Sequence, residues 1–155
     1  MRNSILKVVD RAKPIHFSIV TPTFNRAKLL PRCVNSILDQ TFADFELIIV
    51  DDGSTDSTPE LVGTFQEADE RVCYFVQSNQ GANAARNLGC RKATGDYLLF
   101  LDSDDAACPE WLDVLDALIQ KSNAPAVACC GINFCDSNGE VRNSKTPNDD
   151  TQGST

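Results

Sequence analysis

Short apolar runs alternate with segments of helical periodicity along most of the chain, and this alternation constrains the fold more than any other feature. The apolar runs predict strands at residues 16–20, 47–50, 72–76 and 97–101. Helical patterns follow at Leu30, Thr58, Ala82 and Pro109, and short strands are predicted at 126–130 and 132–135. Strict alternation predicts a mostly parallel, Rossmann-like α/β sheet with right-handed crossovers and helices on both faces.

The fourth apolar run has the pattern of a strand buried on both faces, and it ends at three carboxylates, Asp102, Asp104 and Asp105. Like charges at this spacing repel and raise one another's pKa. A divalent cation resolves the conflict, because carboxylate oxygens suit Mg²⁺ or Mn²⁺, which then complete their shell with water and substrate phosphate. The alternative is an acidic cluster at the N-terminus of the helix that Pro109 opens, which would account for Asp105 alone.

Two other strand ends are polar, at residues 21–26 and 51–54. In parallel sheets, ligands bind at the carboxyl ends of strands, where the strand order reverses. We expect Asp52 to accept hydrogen bonds from a base or a ribose, and Asp51 to hold the turn. The alternative is a simple tight turn, because Asp, Gly and Ser all favour turns.

A helix of small residues begins after Gly81 and carries Arg86. This cation could pair with a phosphate or with the acidic cluster, and the alternative is a solvated surface arginine. His16, the only histidine, is expected to be structural, and no Ser/His/Asp arrangement can be built around it.

The net charge of −8 argues against broad contact with nucleic acid or an anionic membrane. No apolar run approaches the roughly 20 residues of a membrane-spanning helix, which predicts no transmembrane segment in this chain. The seven cysteines include no Cys-x-x-Cys pair, and Cys33, Cys90 and Cys129 lie in apolar stretches. We therefore favour buried, reduced thiols and a cytoplasmic protein over zinc or disulfides.

Three segments are predicted. Residues 1–14 form an N-terminal leader, residues 15–142 form one α/β domain, and the polar residues 143–155 form a disordered tail. Asn138 and Gly139 predict a hairpin turn near the end of the domain.

Five ordered motifs over roughly residues 15–135 resemble the family-two glycosyltransferases of the GT-A fold. The motifs are residues 17–26, 36–42 and 50–56, the helix 81–89 with Ala85-Arg86-Asn87, and 95–105 with an Asp-x-Asp pattern. Their common order makes the resemblance specific, whereas an isolated Asp-x-Asp would be weak.

The resemblance implies a nucleotide-diphosphate-sugar site, with a UDP-sugar as the expected donor. Asp52 would contact the base, Arg86 would lie near the nucleotide, and Asp104 would bind Mn²⁺ or Mg²⁺ on the diphosphate. The residues expected to line the nucleoside pocket are Thr21, Pro22 and Thr23, and those expected to face the ribose and the sugar are Asp102 and Ser103.

The resemblance also implies inverting transfer to an acceptor hydroxyl, on a glycan or a lipid-linked sugar, in cell-wall or polysaccharide synthesis. An acidic residue that serves as the general base would lie beyond the matched region, in an acceptor-binding half. Asp136 and Glu140 flank a predicted turn and are better explained as solvated turn acids. We therefore expect the donor-binding half of a longer enzyme, either cytoplasmic or membrane-peripheral as a whole, and no catalytic base in this chain.

Three alternatives remain open at this point. A nucleotidyltransferase would bring a glycine-rich, basic loop after the first strand, and residues 21–26 contain no glycine. A receiver domain would need acids at the end of the first strand. A remnant that binds nucleotide-sugars without catalysis is the third.

Overall fold

The computed structural model describes residues 15–121, 132–135 and 141–145. Four parallel strands form one sheet in the order β3-β2-β1-β4, which confirms the predicted α/β fold. The strands are β1 (Phe17–Thr23), β2 (Phe45–Asp51), β3 (Val72–Val76) and β4 (Tyr97–Phe100). The helices are α1 (Leu30–Leu38), α2 (Thr58–Ala68), α3 (Ala82–Lys92) and α4 (Trp111–Lys121).

The chain divides into two compact units, residues 1–113 and 114–155. The first contains the four-stranded sheet. The second contains an antiparallel pair, β5 (Ile132–Cys135) and β6 (Val141–Lys145), which agrees with the predicted strand at 132–135. β6 includes residues 143–145, which the sequence assigned to the tail. The leader at 1–14, the strand at 126–130, the Asn138-Gly139 turn and residues 146–155 lie outside the described residues.

Helices cover both faces of the central strands, as predicted. On one face, Val20 and Ile48 form a buried cluster with Ala85 of α3. On the other face, Ile19 is fully buried and the Cys33 thiol of α1 lies beside Thr21. Because the side chains of a strand alternate between faces, these contacts place α1 and α3 on opposite sides of the sheet.

The prediction that the fourth strand is buried on both faces is wrong for the described residues. Leu98 is 38% exposed and Phe100 is 46% exposed, and β4 pairs only with β1. The core cluster around α3 draws on β1 and β2 instead. The apolar run resembles a central strand in composition, but β4 occupies the edge of the described sheet.

Several details at the ends of the elements differ from prediction. β1 continues through Thr23, so the polar residues after Val20 still belong to the strand. The sequence suggests Thr58 as the N-cap of α2 and Pro59 as its first residue, but α2 begins at Thr58 with Ser57 at the cap position, and Asp56 accepts the Thr58 amide at 3.0 Å. α4 begins at Trp111, and its residue Leu118 is 38% exposed rather than on the buried side.

Cys33, Cys73, Cys90 and Cys108 are free cysteines, and of these four only Cys33 is buried. Burial raises the pKa of Cys33 to about 12, so this thiol stays protonated. Cys90 and Cys108 are exposed, contrary to the prediction of buried thiols. Cys90 faces solvent because α3 buries Ala85 and Gly89 on its sheet-facing side.

His16 has the structural role predicted for it. Its ring nitrogen Nδ1 lies 2.6 Å from the Asp44 carboxylate, and its backbone amide donates to Asp96 at 3.1 Å. These contacts lie just before β1, at the end of the sheet remote from the polar strand ends. Among the described residues, no helix has the length and apolar content needed to cross a membrane.

Gly89 sets how closely α3 approaches β1. A Cβ atom at this position would lie 2.3 Å from Val20 Cγ1, which is far inside van der Waals contact. Gly63 of α2 is a matched case, because a Cβ atom there would meet nothing within 4 Å.

We predict that Gly89→Ala lowers the free energy of unfolding by about 1–3 kcal/mol, because the added methyl group overpacks the contact with Val20. Gly63→Ala should instead raise it by up to about 1 kcal/mol, since alanine favours helix over glycine. Urea denaturation of both variants measures the difference. Equal effects of the two substitutions would contradict the packing described here.

Candidate functional site

A pocket of about 470 Å³ lies at the carboxyl ends of the parallel strands. Its walls come from the segments that follow β1, β2, β3 and β4, together with the first turns of α3. The lining residues are Pro22, Thr23, Phe24, Arg26, Asp52, Asn79, Gly81, Ala82, Arg86, Asp102, Ser103 and Asp104. Because β4 pairs with β1 on the side opposite β2, the strand order reverses beside β1, which is where such sheets bind ligands.

The structure brings together seven of the eight residues predicted from the sequence. They are Pro22, Thr23, Asp52, Arg86, Asp102, Ser103 and Asp104. Thr21 does not line the pocket, because it is fully buried within β1. The role assigned to each of these residues stays a prediction.

Five of the lining residues were not predicted from the sequence. Phe24 and Arg26 belong to the polar strand end at 21–26, which was recognised without assigning them a role. Asn79 follows β3, whose end carries no acidic cluster to draw attention to it. Gly81 and Ala82 lie at the start of α3 and have no functional side-chain group, so the sequence alone does not mark them as pocket residues.

The hydroxyl of Thr23 is buried and has no hydrogen-bond partner among the residues that the structure describes. Thr23 is 3% exposed and lines the pocket, at the last position of β1. A buried hydroxyl without a partner is costly, so this group is suited to a polar ligand atom.

Asp51 holds the turn after β2, as predicted. Its Oδ1 atom accepts the Ser54 amide at 2.8 Å, and its Oδ2 atom accepts the Tyr74 hydroxyl at 2.6 Å. The turn passes through Gly53, which has a φ of 81° and lies close to the backbone of residues 77–79.

Asp52 joins the turn after β2 to the loop between β3 and α3. Its Oδ1 atom accepts the Gln77 side-chain amide and the Gln80 backbone amide, both at 2.8 Å. Its Oδ2 atom accepts the Gly81 amide at 2.7 Å. Burial alone would raise the pKa of Asp52, but these three hydrogen bonds outweigh it and hold the pKa below its ordinary value. Asp52 is therefore an ionised anchor for the loop between β3 and α3.

Two arginines face the acidic end of the pocket. Arg86 Nη2 lies 2.5 Å from Asp102 Oδ1, so Arg86 pairs with the acidic cluster and is not a solvated surface residue. Arg26 Nη2 lies 3.8 Å from Asp104 Oδ2, a long and exposed contact. The carboxylate of Asp102 is thus matched by a close cation, whereas that of Asp104 is only weakly paired.

Asp105 shows the repulsion expected of crowded acids. Burial, then the charges of Asp104 and Asp102, raise its pKa above the ordinary value. The explanation of the cluster as a helix N-terminus is wrong, because α4 begins at Trp111 and the acid in its first turn is Asp113.

No group of three or more His, Cys, Asp or Glu side chains among the described residues could hold a metal ion by itself. Asp104 nevertheless offers a carboxylate that is 51% exposed at the pocket wall. One carboxylate with room for further oxygen ligands fits a cation that shares its coordination with phosphate and water. The residues present therefore fit Mg²⁺ or Mn²⁺ bound together with a ligand.

The family model described as "Glycosyl transferase family 2" matches residues 18–153. The chain belongs to this family. Its parallel sheet and its structural neighbours identify the fold as the GT-A type, and the family is one of enzymes.

Similar proteins include the GalNAc(5)-diNAcBac-PP-undecaprenol beta-1,3-glucosyltransferase of Campylobacter jejuni, which is 41% identical over 108 residues, 68% of this chain and 34% of the relative. The S. aureus TarS fragment 1–349 in complex with UDP-GlcNAc is 32% identical with a TM-score of 0.65, covering 69% of this chain and 32% of that chain. The mannosyltransferase PcManGT of Pyrobaculum calidifontis, in complex with GDP-Man and Mn²⁺, is 25% identical with a TM-score of 0.61, covering 80% and 36%. The chain spans less than half the length of the curated relatives it matches.

We predict that Asp52→Asn lowers the free energy of unfolding at neutral pH by about 1–3 kcal/mol, because the amide cannot accept all three donors and one is left unsatisfied. The folded-state pKa of Asp52 lies below its ordinary value of 3.8. Its stabilisation is therefore present above that value and is lost as the pH falls through the folded-state pKa. Urea denaturation between pH 7 and pH 3 should show the difference from the wild type shrinking at the acidic end.

The control for this prediction is Asp39→Asn, which makes the same change at an exposed position at the end of α1. It should leave both stability and its pH dependence nearly unchanged. If Asp52→Asn behaves in the same way as Asp39→Asn, Asp52 does not anchor the loop.

Proposed function

We propose that this chain is the donor-binding part of a metal-dependent glycosyltransferase and binds a nucleotide-diphosphate sugar in the pocket described above. One observation carries the proposal. The loops after all four parallel strands converge on a single pocket that contains two arginines and an available carboxylate, in a chain of glycosyl transferase family 2. The related TarS and PcManGT structures contain UDP-GlcNAc and GDP-Man, which supports this class of ligand.

The nucleoside would occupy the part of the pocket near the end of β1. Phe24 lines the pocket and is 42% exposed, so its ring is available to stack on a base. The unpartnered hydroxyl of Thr23 would hydrogen-bond the nucleoside. Asp52 would contact the base as part of the pocket wall, which it shapes by anchoring the backbone of Gln80 and Gly81.

The diphosphate would lie between the arginines and Asp104. Arg26 and Arg86 are the cationic side chains that line the pocket, and each is already matched to an acid. Two cations offset by Asp102 and Asp104 leave little net positive charge for a diphosphate. A divalent cation on Asp104 would supply that charge and would stabilise the nucleoside diphosphate as it leaves the sugar.

We further propose inverting transfer to an acceptor hydroxyl, on a glycan or a lipid-linked sugar, in polysaccharide or cell-wall synthesis in the cytoplasm. We assign no catalytic base to this chain, and Asp136 and Glu140 lie outside the described residues. The acceptor site and the base would come from further sequence of the kind that the longer relatives contain.

We predict that the chain binds UDP or GDP, and that Mn²⁺ increases the affinity about tenfold or more. Asp104→Asn should remove most of this increase, because the neutral amide is a weaker ligand for a hard cation. Isothermal titration with UDP, GDP and dTDP, each with and without Mn²⁺, measures both effects.

Asp39→Asn is again the matched control and should bind as the wild type does. Absence of binding to all three nucleotides in the presence of Mn²⁺ would overturn the proposed function. Slow hydrolysis of a nucleotide-sugar that Asp104→Asn abolishes would distinguish an active fragment from a binding-only remnant.

We predict that Phe24→Ala weakens UDP binding by about 1–3 kcal/mol, because base stacking on an aromatic ring contributes energy of this order. The loss should be equally large for UMP, which keeps the base but lacks the second phosphate. Leu29→Ala is the control, since Leu29 is similarly exposed at 40% but does not line the pocket. A loss confined to UDP would show that Phe24 acts on the phosphates and not on the base.

A further inference from the structure

One side of α1 and the residues that follow it hydrogen-bond to the segment after β4 along most of its length. At the start of the helix, a guanidinium nitrogen of Arg32 donates to the Asp104 carbonyl oxygen. The Cys33 thiol donates to the Asp102 carbonyl oxygen, with 3.5 Å between sulfur and oxygen. Both contacts hold the backbone of the residues whose carboxylates face the pocket.

Ser36 of α1, and Gln40 just beyond the end of the helix, hold the next part of the same segment. Ser36 Oγ accepts the Ala107 amide at 3.0 Å. Gln40 is 8% exposed, and its Nε2 atom donates to the Cys108 carbonyl oxygen at 2.6 Å. Its Oε1 atom accepts the Leu112 amide at 3.0 Å, which satisfies one of the free amides at the start of α4.

Thr41 completes the contact just beyond α1. Its backbone amide and its hydroxyl both donate to the Pro109 carbonyl oxygen at 3.1 Å, and the hydroxyl also contacts the Asp113 carboxylate. Residues 36–42 were recognised from the sequence only as one of five family-like motifs. The structure shows that Ser36, Gln40 and Thr41 from that motif bind the segment carrying Asp104.

The spacing of these residues explains the regular contact. Arg32 and Ser36 are four residues apart, so their side chains project from the same side of α1. Gln40 lies two residues beyond the end of the helix, and its Nε2 atom also donates to the Ser36 carbonyl oxygen at 3.0 Å. The segment 101–110 forms neither helix nor strand, and its backbone groups therefore need other partners. A rigid helix supplies them at fixed intervals.

We propose that α1 is the positioning element for the metal-binding carboxylate, with Ser36 and Gln40 as its positioning residues. They fix the backbone that follows Asp104, at residues 107, 108 and 112. On the other side of Asp104, the Cys33 thiol of the same helix contacts the Asp102 carbonyl oxygen. The Asp104 carboxylate is thereby held at the pocket wall before a metal arrives. The inference rests on the proposed role of Asp104, and it assigns a function to residues that do not themselves line the pocket.

A positioning role differs from general structural support in what it changes. Partners that orient a metal ligand typically contribute about 10- to 100-fold to metal affinity. Loss of Ser36 and Gln40 should therefore reduce the Mn²⁺-dependent part of nucleotide binding selectively. The metal-free part depends on Phe24, Thr23 and the loop anchored by Asp52, which α1 does not hold.

The experiment compares Ser36→Ala, Gln40→Met and their combination with the wild type, using the whole chain. Gln40→Met keeps the volume of the buried side chain and removes its hydrogen bonds. Isothermal titration with UDP, with and without Mn²⁺, gives the metal-dependent gain in affinity. Hydrogen exchange of the Ala107 and Leu112 amides reports directly on the hydrogen bonds that these amides donate to Ser36 and Gln40.

We expect the factor by which Mn²⁺ increases UDP affinity to be about tenfold smaller in the double variant than in the wild type. Its metal-free affinity for UDP should stay within about twofold of the wild type, and exchange at the two amides should accelerate. Ser36→Thr should restore the gain relative to Ser36→Ala, because it keeps the hydroxyl. The control is Asn35→Ala, because Asn35 is an exposed residue of α1. This variant should keep the wild-type affinities for UDP and the wild-type exchange rates.

An unchanged gain in the double variant would overturn the positioning role while leaving the proposed function intact. Equal losses with and without Mn²⁺ would also overturn it, because they would indicate general structural support. A wild-type chain that binds UDP with no gain from Mn²⁺ would overturn the proposed metal site and the positioning role together. If the double variant does not fold, the same measurements on the single variants Gln40→Met and Ser36→Ala decide the question.

Discussion

Strand β1 hydrogen-bonds to β2 on one side and to β4 on the other. These two pairings determine the positions of the pocket loops that follow β1, β2 and β4. The register sets Thr23 opposite Asp51, so the polar ends of β1 and β2 lie side by side. β4 joins the opposite edge of β1 and leaves the crevice into which residues 102–104 project. Parallel pairing brings all of these carboxyl ends to one edge of the sheet.

The electrostatics of the pocket divide its acids into two kinds. Asp51 and Asp52 are buried and fully engaged by hydrogen bonds from the protein, so they build the walls. Asp102 and Asp104 are about half exposed and face arginines across the pocket. Only the second kind can exchange a protein partner for a ligand or a cation, and Asp104 has the weaker partner.

The sequence predicted the sheet and most of the lining residues because polar residues at the ends of apolar runs must meet at one edge of a parallel sheet. It could not predict that β4 lies at the edge of the described sheet, since the composition of residues 97–101 is that of a central strand. Nor could it show that Asp52 accepts hydrogen bonds from Gln77, Gln80 and Gly81, because two of these donors are backbone amides, which have no sequence pattern, and the third is a side chain 25 residues away. The contacts of Ser36 and Gln40 were invisible for a similar reason, since their partners are amides and carbonyls about 70 residues away.

The account depends most on Asp104 as the ligand of a divalent cation that also holds a diphosphate. A crystal of the chain grown with UDP and Mn²⁺ tests this directly, because anomalous scattering locates manganese independently of the interpretation. We expect manganese at about 2.1 Å from an Asp104 carboxylate oxygen and in contact with the diphosphate. Manganese bound elsewhere, with Asp104 turned away from both the ion and the nucleotide, would contradict the account.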